Sequence, residues 1–112
     1  MASRKILGQA APTTASTETL LYTCPSTSAD TVVSTIVVTN RGTNQNTFRI
    51  SVSKGGGATQ NTDYLTYDLS IAGNDVFVMT IGMTLAPTDV IRVNTTGSGS
   101  ALLTYQLFGQ EN

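Results

Sequence analysis

The stretch Thr47-Phe48-Arg49-Ile50-Ser51-Val52-Ser53-Lys54 decides the fold class, because its apolar and polar side chains alternate with a period of two. Phe48, Ile50 and Val52 fall on one face of an extended strand, and the polar residues between them fall on the other. This alternation predicts an antiparallel strand that has one buried face and one solvated face.

Working outward from this strand, six further segments carry strand patterns. The segment 31–39 is rich in β-branched residues and apolar on both faces at its middle, so we expect it to be a central strand. The other predicted strands are residues 20–24, 64–69, 76–85, 89–94 and 101–108. Turn-forming residues separate them, and residues 72–75 predict a tight hairpin turn.

No segment has a sustained period of 3.6 residues, so we expect little or no helix. Closely spaced strands with turn signals between them predict an all-β fold. Specifically, we expect a single antiparallel β-sandwich, jelly-roll-like, of about seven to eight strands. Residues 19–112 are predicted to form this domain.

Residues 1–18 are expected to form an extended N-terminal arm. The segment 10–18 is small and polar, and it cannot bury enough apolar area to offset its ordering entropy alone. The arm carries Arg4, Lys5, Ile6 and Leu7, which combine charge with two aliphatic side chains. We predict that these four residues bind a neighbouring protein. On this hypothesis, deleting residues 2–18 abolishes partner binding and leaves a folded β domain.

The composition of the 112-residue chain excludes several classes of protein. Hydrophobic residues make up 39% of the chain and charged residues only 12%, which is a low share of charge. Twenty Thr and ten Ser supply much of the polar character instead. A coiled coil and a disordered polyelectrolyte are excluded, because both need more charge. The net charge of -1 provides no basic field for nucleic acid. We therefore expect no nucleic-acid partner. No segment approaches the roughly 20 apolar residues of a membrane span, so we also expect no membrane partner and a soluble protein made in a cytoplasm.

The chain has few groups that could perform chemistry. It has no His and one cysteine, Cys24, so a thiol nucleophile would lack its usual base and a zinc site would lack ligands. We expect Cys24 to be a buried core residue. Lys54 precedes three glycines, whereas in a phosphate-binding loop the Lys follows the glycines. We therefore expect residues 54–57 to form a flexible turn.

The carboxylates fall mostly at strand ends and turns, where Asp is a common turn former. Asp63, Asp68 and Asp75 offer oxygen ligands for Ca²⁺, but no loop has the spacing of a known calcium site. Asp63 and Asp68 also lack any sign of the cleft that glycosidases need. We therefore predict no catalytic residue, no metal site and no cofactor, and a protein that is not an enzyme.

The scarcity of charge on the strands has two interpretations. Hydroxyl-bearing faces cost less to desolvate than ionic ones, so these faces could be buried in an oligomer. Alternatively, Thr simply suits exposed strands.

Short motifs along nearly the whole chain carry a resemblance. They occupy residues 4–12, 21–23, 33–38, 40–42, 48–50, 63–68, 74–75, 80–85, 88–93 and 107–109, and include Asp63-Tyr64-Leu65-Thr66-Tyr67-Asp68. Together they resemble small structural proteins from the virions of tailed bacteriophages, especially cyanophages. Residues 54–57 depart from this pattern, because a turn containing Pro is expected there.

The resemblance implies a capsid decoration (cement) protein that stabilises the capsid lattice through non-covalent contacts. Its expected partners are its own copies, as a homotrimer at threefold lattice positions, and the major capsid protein or another virion protein. A neck, tail or baseplate fibre module is the alternative within the same class. Both interpretations place the chain in the virion, on the capsid surface or in the tail.

An alternative of another class is a carbohydrate-binding domain for receptor recognition. It would use Tyr64, Tyr67 or Tyr105 as stacking surfaces, and packing in the core or at an interface is the competing role for these rings.

Overall fold

The computed structural model describes residues 3–27, 29–97 and 101–112, which form strands, turns and two single-turn 3₁₀-helices. No helix in this part of the chain is long and apolar enough to cross a membrane. The 3₁₀-helices span Lys54–Gly56 and Asn61–Asp63. The eight strands are β1 (Ser3–Ala10), β2 (Thr19–Thr23), β3 (Thr31–Asn40), β4 (Asn46–Ser53), β5 (Tyr64–Ile71), β6 (Val76–Leu85), β7 (Val90–Thr95) and β8 (Leu103–Glu111).

These strands form two antiparallel four-stranded sheets. The first sheet has the order β1-β8-β3-β6, and the second has the order β2-β7-β4-β5. Because β1 pairs with β8, β2 with β7, β3 with β6 and β4 with β5, the chain resembles one long hairpin whose successive strand pairs fall in alternate sheets. This arrangement is a jelly roll. The predicted jelly-roll-like sandwich is confirmed, and β3 lies inside its sheet as its apolar faces predicted.

The core lies between the two sheets and draws aromatic side chains from both. The Phe48 ring of the second sheet lies 5.4 Å from Phe77 and 6.4 Å from Tyr105 of the first, centroid to centroid. Phe48 and Tyr105 are fully buried. Tilted and edge-on ring contacts of this kind add to the stabilisation that area burial already provides.

The N-terminal segment differs from the arm that was expected over residues 1–18. Ser3–Ala10 are extended, but they form β1 at the edge of the first sheet, paired with β8. Leu7 and Ala10 pack against the core. At Gly8, a Cβ would lie only 2.4 Å from the carbonyl oxygen of Leu21, so glycine allows β1 to approach β2. Composition could not reveal this strand, because main-chain pairing with a segment about a hundred residues away holds it.

The turn predicted at residues 72–75 exists, but the hairpin prediction was wrong. The turn joins β5 to β6, and these strands lie in different sheets. Turn-forming residues indicate where a chain reverses direction, not which strand the next segment pairs with.

The polar face of β4 is also less solvated than expected, because residues 54–63 fold over one end of it. Arg92 donates to the Gly57 carbonyl at 2.8 Å and to Ser53 Oγ at 3.0 Å. Ser53 Oγ in turn donates to Asp63 Oδ2 at 3.2 Å. Ser53 is consequently buried, although its strand pattern predicted an exposed position.

Candidate interaction surfaces

Several of the groups that could perform chemistry are buried or engaged in local contacts. Among the described residues, no three acidic, cysteine or histidine side chains come together as metal ligands. Cys24 is fully buried, with Sγ 3.2 Å from Thr31 Oγ1, as its predicted core role requires. Asp63 accepts the Gln60 backbone N–H at 2.8 Å, and Asp89 accepts those of Gly55 and Ala86 at 2.8 and 2.9 Å. These contacts are turn and capping roles.

The outer face of the first sheet is open and almost uncharged. Strand register aligns its side chains in four rows: Arg4, Gln110, Val32 and Thr84; Ile6, Phe108, Thr35 and Thr80; Gln9, Gln106, Val37 and Val78; Thr104, Thr39 and Val76. We call this set the first-sheet face. Arg4 is its one ionic side chain among these described residues. Ile6, Val76 and Val78 are 54%, 51% and 55% exposed, so the face presents aliphatic surface to water.

A groove of about 470 Å³ lies at the Arg4 end of this face. Apolar, amide and basic side chains line it: Arg4, Lys5, Val32, Ser34, Phe108, Gly109 and Gln110. Arg4 Nε lies 3.5 Å from Gln110 Oε1, at the limit of a hydrogen bond, and Arg4 is exposed. A cation beside apolar walls would suit a partner segment that carries an acidic group next to an apolar side chain.

Lys5, by contrast, is held at the rim of the groove. Its Nζ lies 2.5 Å from Glu111 Oε1, and Tyr22 donates its hydroxyl to the other oxygen of Glu111. The pKa of Glu111 is lowered, first by Lys5 and then by Tyr22. Burial and the neighbouring Glu111 raise the pKa of Tyr22. This network ties β1 and β2 to the end of β8.

The structure thus separates the four predicted partner-binding residues. Arg4 and Lys5 line the groove, and Ile6 is exposed on the first-sheet face. Leu7 packs against the core and stabilises the domain instead. The sequence did not indicate Val32 or Phe108 as groove residues, because only the pairing of β8 with β1 and β3 brings them beside Arg4.

A second surface, the tyrosine cluster, consists of Arg49, Tyr64, Tyr67 and Asp68 on the second sheet. The Arg49 Cζ atom lies 3.9 Å from the centroid of the Tyr67 ring and 5.8 Å from that of Tyr64. The two tyrosine rings meet edge-on at 4.9 Å. Tyr67 is 60% exposed, so an aromatic surface with a cation stacked on it faces solvent.

Asp68 holds the guanidinium of this cluster in place. It accepts Arg49 Nε at 2.8 Å, Arg49 Nη2 at 3.2 Å and the Thr96 hydroxyl at 2.7 Å. These bonds, chiefly those from Arg49, lower the pKa of Asp68. Tyr105, the third tyrosine predicted as a stacking surface, is fully buried and cannot serve as one.

No protein-family model matches the chain, and a search of curated proteins finds no match. The sequence motifs, the fold and these two surfaces are the basis for a proposed function.

Proposed function

We propose that the chain is a structural protein of a phage virion, acting as a capsid decoration protein through non-covalent contacts with its own copies and with the major capsid protein or another virion protein. The observation that carries this proposal is the first-sheet face. It exposes Ile6, Val76 and Val78 and carries a single ionic side chain, Arg4. Such a face can be desolvated at little electrostatic cost, as a protein interface must be.

Three features support the proposal together. The sequence motifs resemble those of small virion proteins, which is the basis for the virion assignment. The groove at Arg4 offers a second contact site for a different partner. The two ion pairs among the described residues, Lys5 with Glu111 and Arg49 with Asp68, lie outside the first-sheet face, whose one ionic side chain is Arg4.

The test measures the mass of the isolated protein and its copy number in purified particles. We expect an oligomer of the 11.7 kDa chain in solution and hundreds of copies per particle. A few to a few dozen copies would favour the neck, tail or baseplate alternative instead. A protein absent from particles would overturn both interpretations.

Carbohydrate binding is a second candidate function, favoured by one observation. Tyr67 is exposed, and Arg49 orders its ring, which would lower the entropy cost of stacking a sugar against it. A glycan array with wild-type protein and with Tyr67→Ala tests this candidate. Binding that the variant loses, while Leu69→Ala on the same strand retains it, would support carbohydrate recognition. No binding by an intact oligomer would remove it.

A further inference from the structure

The four free edges of the two sheets differ in how they are protected. An exposed edge strand can pair with another chain unless charge, shortness or a bulge prevents it. β1 carries Arg4 and Lys5, β2 has only five residues and a register shift, and β5 carries Asp68 beside a register shift. β6 also has a register shift, at residues 81–82, but it has ten residues and no charged side chain, and residues 76–80 precede the shift. Among the described strands it is thus the edge with the least protection.

Incompletely covered apolar side chains lie on both faces of β6, and Thr80 and Thr84 share the outer face. Val76 and Val78 are 51% and 55% exposed on the outer face. On the inner face, Phe77, Met79 and Ile81 are only partly buried. Apolar exposure on both faces of an uncharged edge strand is typical of a surface that a partner covers.

We propose that β6 is the contact through which two copies of this chain associate. The two β6 strands pair in antiparallel fashion around a twofold axis and join the first sheets into one eight-stranded sheet. This inference rests on the proposed function, since it specifies the surface by which that function's self-association occurs.

Symmetry and the β6 bulge define the register. Two residues of β6, Ile81 and Gly82, lie opposite one residue of β3, and Gly82 has a φ of 62°. The longer regular part of the strand is therefore residues 76–80, whose centre is Val78. Directly opposite residues in an antiparallel pair share a face of the sheet, so a twofold axis places Val78 opposite Val78 of the second copy. Val76 then lies opposite Thr80 of the second copy.

The charge distribution favours a second copy as the occupant. An edge without charge brings no like charges together when it pairs with itself. The nearest carboxylate along the chain is Asp75, just before β6. In this register the two Asp75 residues lie about 20 Å apart, at about 3.3 Å per residue, which exceeds the Debye length of about 8 Å. In this proposal the unit of assembly is a dimer and not the expected trimer.

Two experiments on the full-length protein test this contact. In the first, Val78→Lys combined with Thr80→Lys introduces the charges that other edge strands use for protection. Gln106→Lys is the control, because it adds a lysine to the same face on the interior strand β8.

In the second experiment, Val78→Cys is oxidised, and Val37→Cys is its control. Val37 lies directly beside Val78 in the register but on the interior strand β3. Cys24 is buried and does not interfere.

We expect wild type and Gln106→Lys to have twice the chain mass of 11.7 kDa. We expect the lysine pair to raise the dissociation constant by roughly tenfold or more. Val78→Cys should form a disulfide-linked dimer, since opposite Cα atoms lie about 4.5–5.5 Å apart. Val37→Cys should not.

Other outcomes separate this inference from the proposed function. An oligomer that survives the lysine pair, or a trimer that Val78→Cys does not cross-link, overturns the β6 contact and leaves the proposed function standing. A monomer at every concentration also overturns the β6 contact, and the copy number in particles then decides the proposed function. If the lysine pair fails to fold, the cysteine cross-link alone decides.

Discussion

Thr95 and Tyr105 share a buried hydrogen bond of 2.7 Å between their hydroxyl oxygens, and this bond links the two sheets. Thr95 ends β7 of the second sheet and Tyr105 lies in β8 of the first, and both are fully buried. Burial raises the pKa of Tyr105 to about 12, because a phenolate there would lose its hydration. The hydroxyl therefore stays protonated and bonded at physiological pH.

Replacing Tyr105 with Phe should destabilise the protein by about 1–3 kcal/mol, because the Thr95 hydroxyl would be left buried without a partner. Urea unfolding of wild type and Tyr105→Phe measures this change in the free energy of unfolding. Tyr67→Phe is the control, since it also removes one hydroxyl but at a residue that is 60% exposed. Adding Thr95→Val to Tyr105→Phe should recover part of the loss. Equal stability of Tyr105→Phe and wild type would show that the bond contributes nothing.

Acidification should weaken the contact between β1 and β8 through Glu111. The pKa of this carboxyl is lowered in the folded protein, first by Lys5 and then by Tyr22, from an ordinary value of 4.5. A lowered folded pKa gives stability that is present above the unfolded pKa and is lost as the pH falls through the folded pKa. We expect unfolding free energy to fall below pH 4.5, and to fall less in Glu111→Gln.

Urea unfolding at a series of pH values measures this effect of Glu111. Glu18→Gln is the control, because Glu18 is exposed and, among the described residues, accepts only the hydroxyl of Thr59. Asp68 also has a lowered pKa and leaves some acid sensitivity in every variant. If Glu111→Gln and wild type lose stability in parallel, the contact with Lys5 and Tyr22 has no role in acid sensitivity.

The strands that could be predicted from the sequence are those whose side chains alternate or are uniformly apolar. Phe48 and Ile50 are buried as the alternation required, and the apolar run of β3 lies inside its sheet. The alternation did not predict that Ser53 would be buried, because residues 54–63 fold back over the end of this strand and Asp63 accepts the Ser53 hydroxyl. A period-two pattern predicts which side chains face the opposing sheet. It does not predict which side chains on the other face are covered by a loop.

The candidate surfaces were predictable only in part, for a related reason. Arg4, Lys5 and Ile6 were predicted from their local combination of charge and aliphatic groups, and they lie on or beside the first-sheet face. Tyr67 was a candidate stacking surface, but its contact with Arg49 depends on the pairing of β4 with β5. Strand pairing between distant segments creates both surfaces, and no local pattern specifies such pairing.

The backbone at Asp68 offers a test of why this residue occupies the β5 bulge. Its φ is 51°, in the left-handed region that Asp and Asn tolerate better than other residues with a side chain. Asp68→Asn removes the charge and keeps this tolerance, whereas Asp68→Ala removes both. We expect Asp68→Ala to unfold at a lower urea concentration than Asp68→Asn. The same midpoint for both variants would assign the whole effect to the ion pair with Arg49.

The close approach of β1 to β2 at Gly8 predicts that the N-terminal strand depends on this glycine. Ala at this position would place its Cβ 2.4 Å from the carbonyl oxygen of Leu21, a rigid main-chain atom, so the two strands must move apart. We expect Gly8→Ala to lose about 1–3 kcal/mol and the amide protons of β1 to exchange faster. Gly57→Ala is the control, because its Cβ would meet only the Lys54 carbonyl oxygen at 3.8 Å.

If Gly8→Ala matches Gly57→Ala in both stability and amide exchange, the close contact at Gly8 does not hold β1 in place.

A dependence on Gly8 would also change how the deletion of residues 2–18 is interpreted. That deletion removes β1 and leaves β8 as an unpaired edge, so it should destabilise the domain or promote its aggregation. Loss of partner binding by the truncated chain would then not identify Arg4 or Ile6 as the contact. Arg4→Glu, which leaves β1 in place, isolates the contribution of the groove to binding purified particles, and undiminished binding by this variant would exclude it.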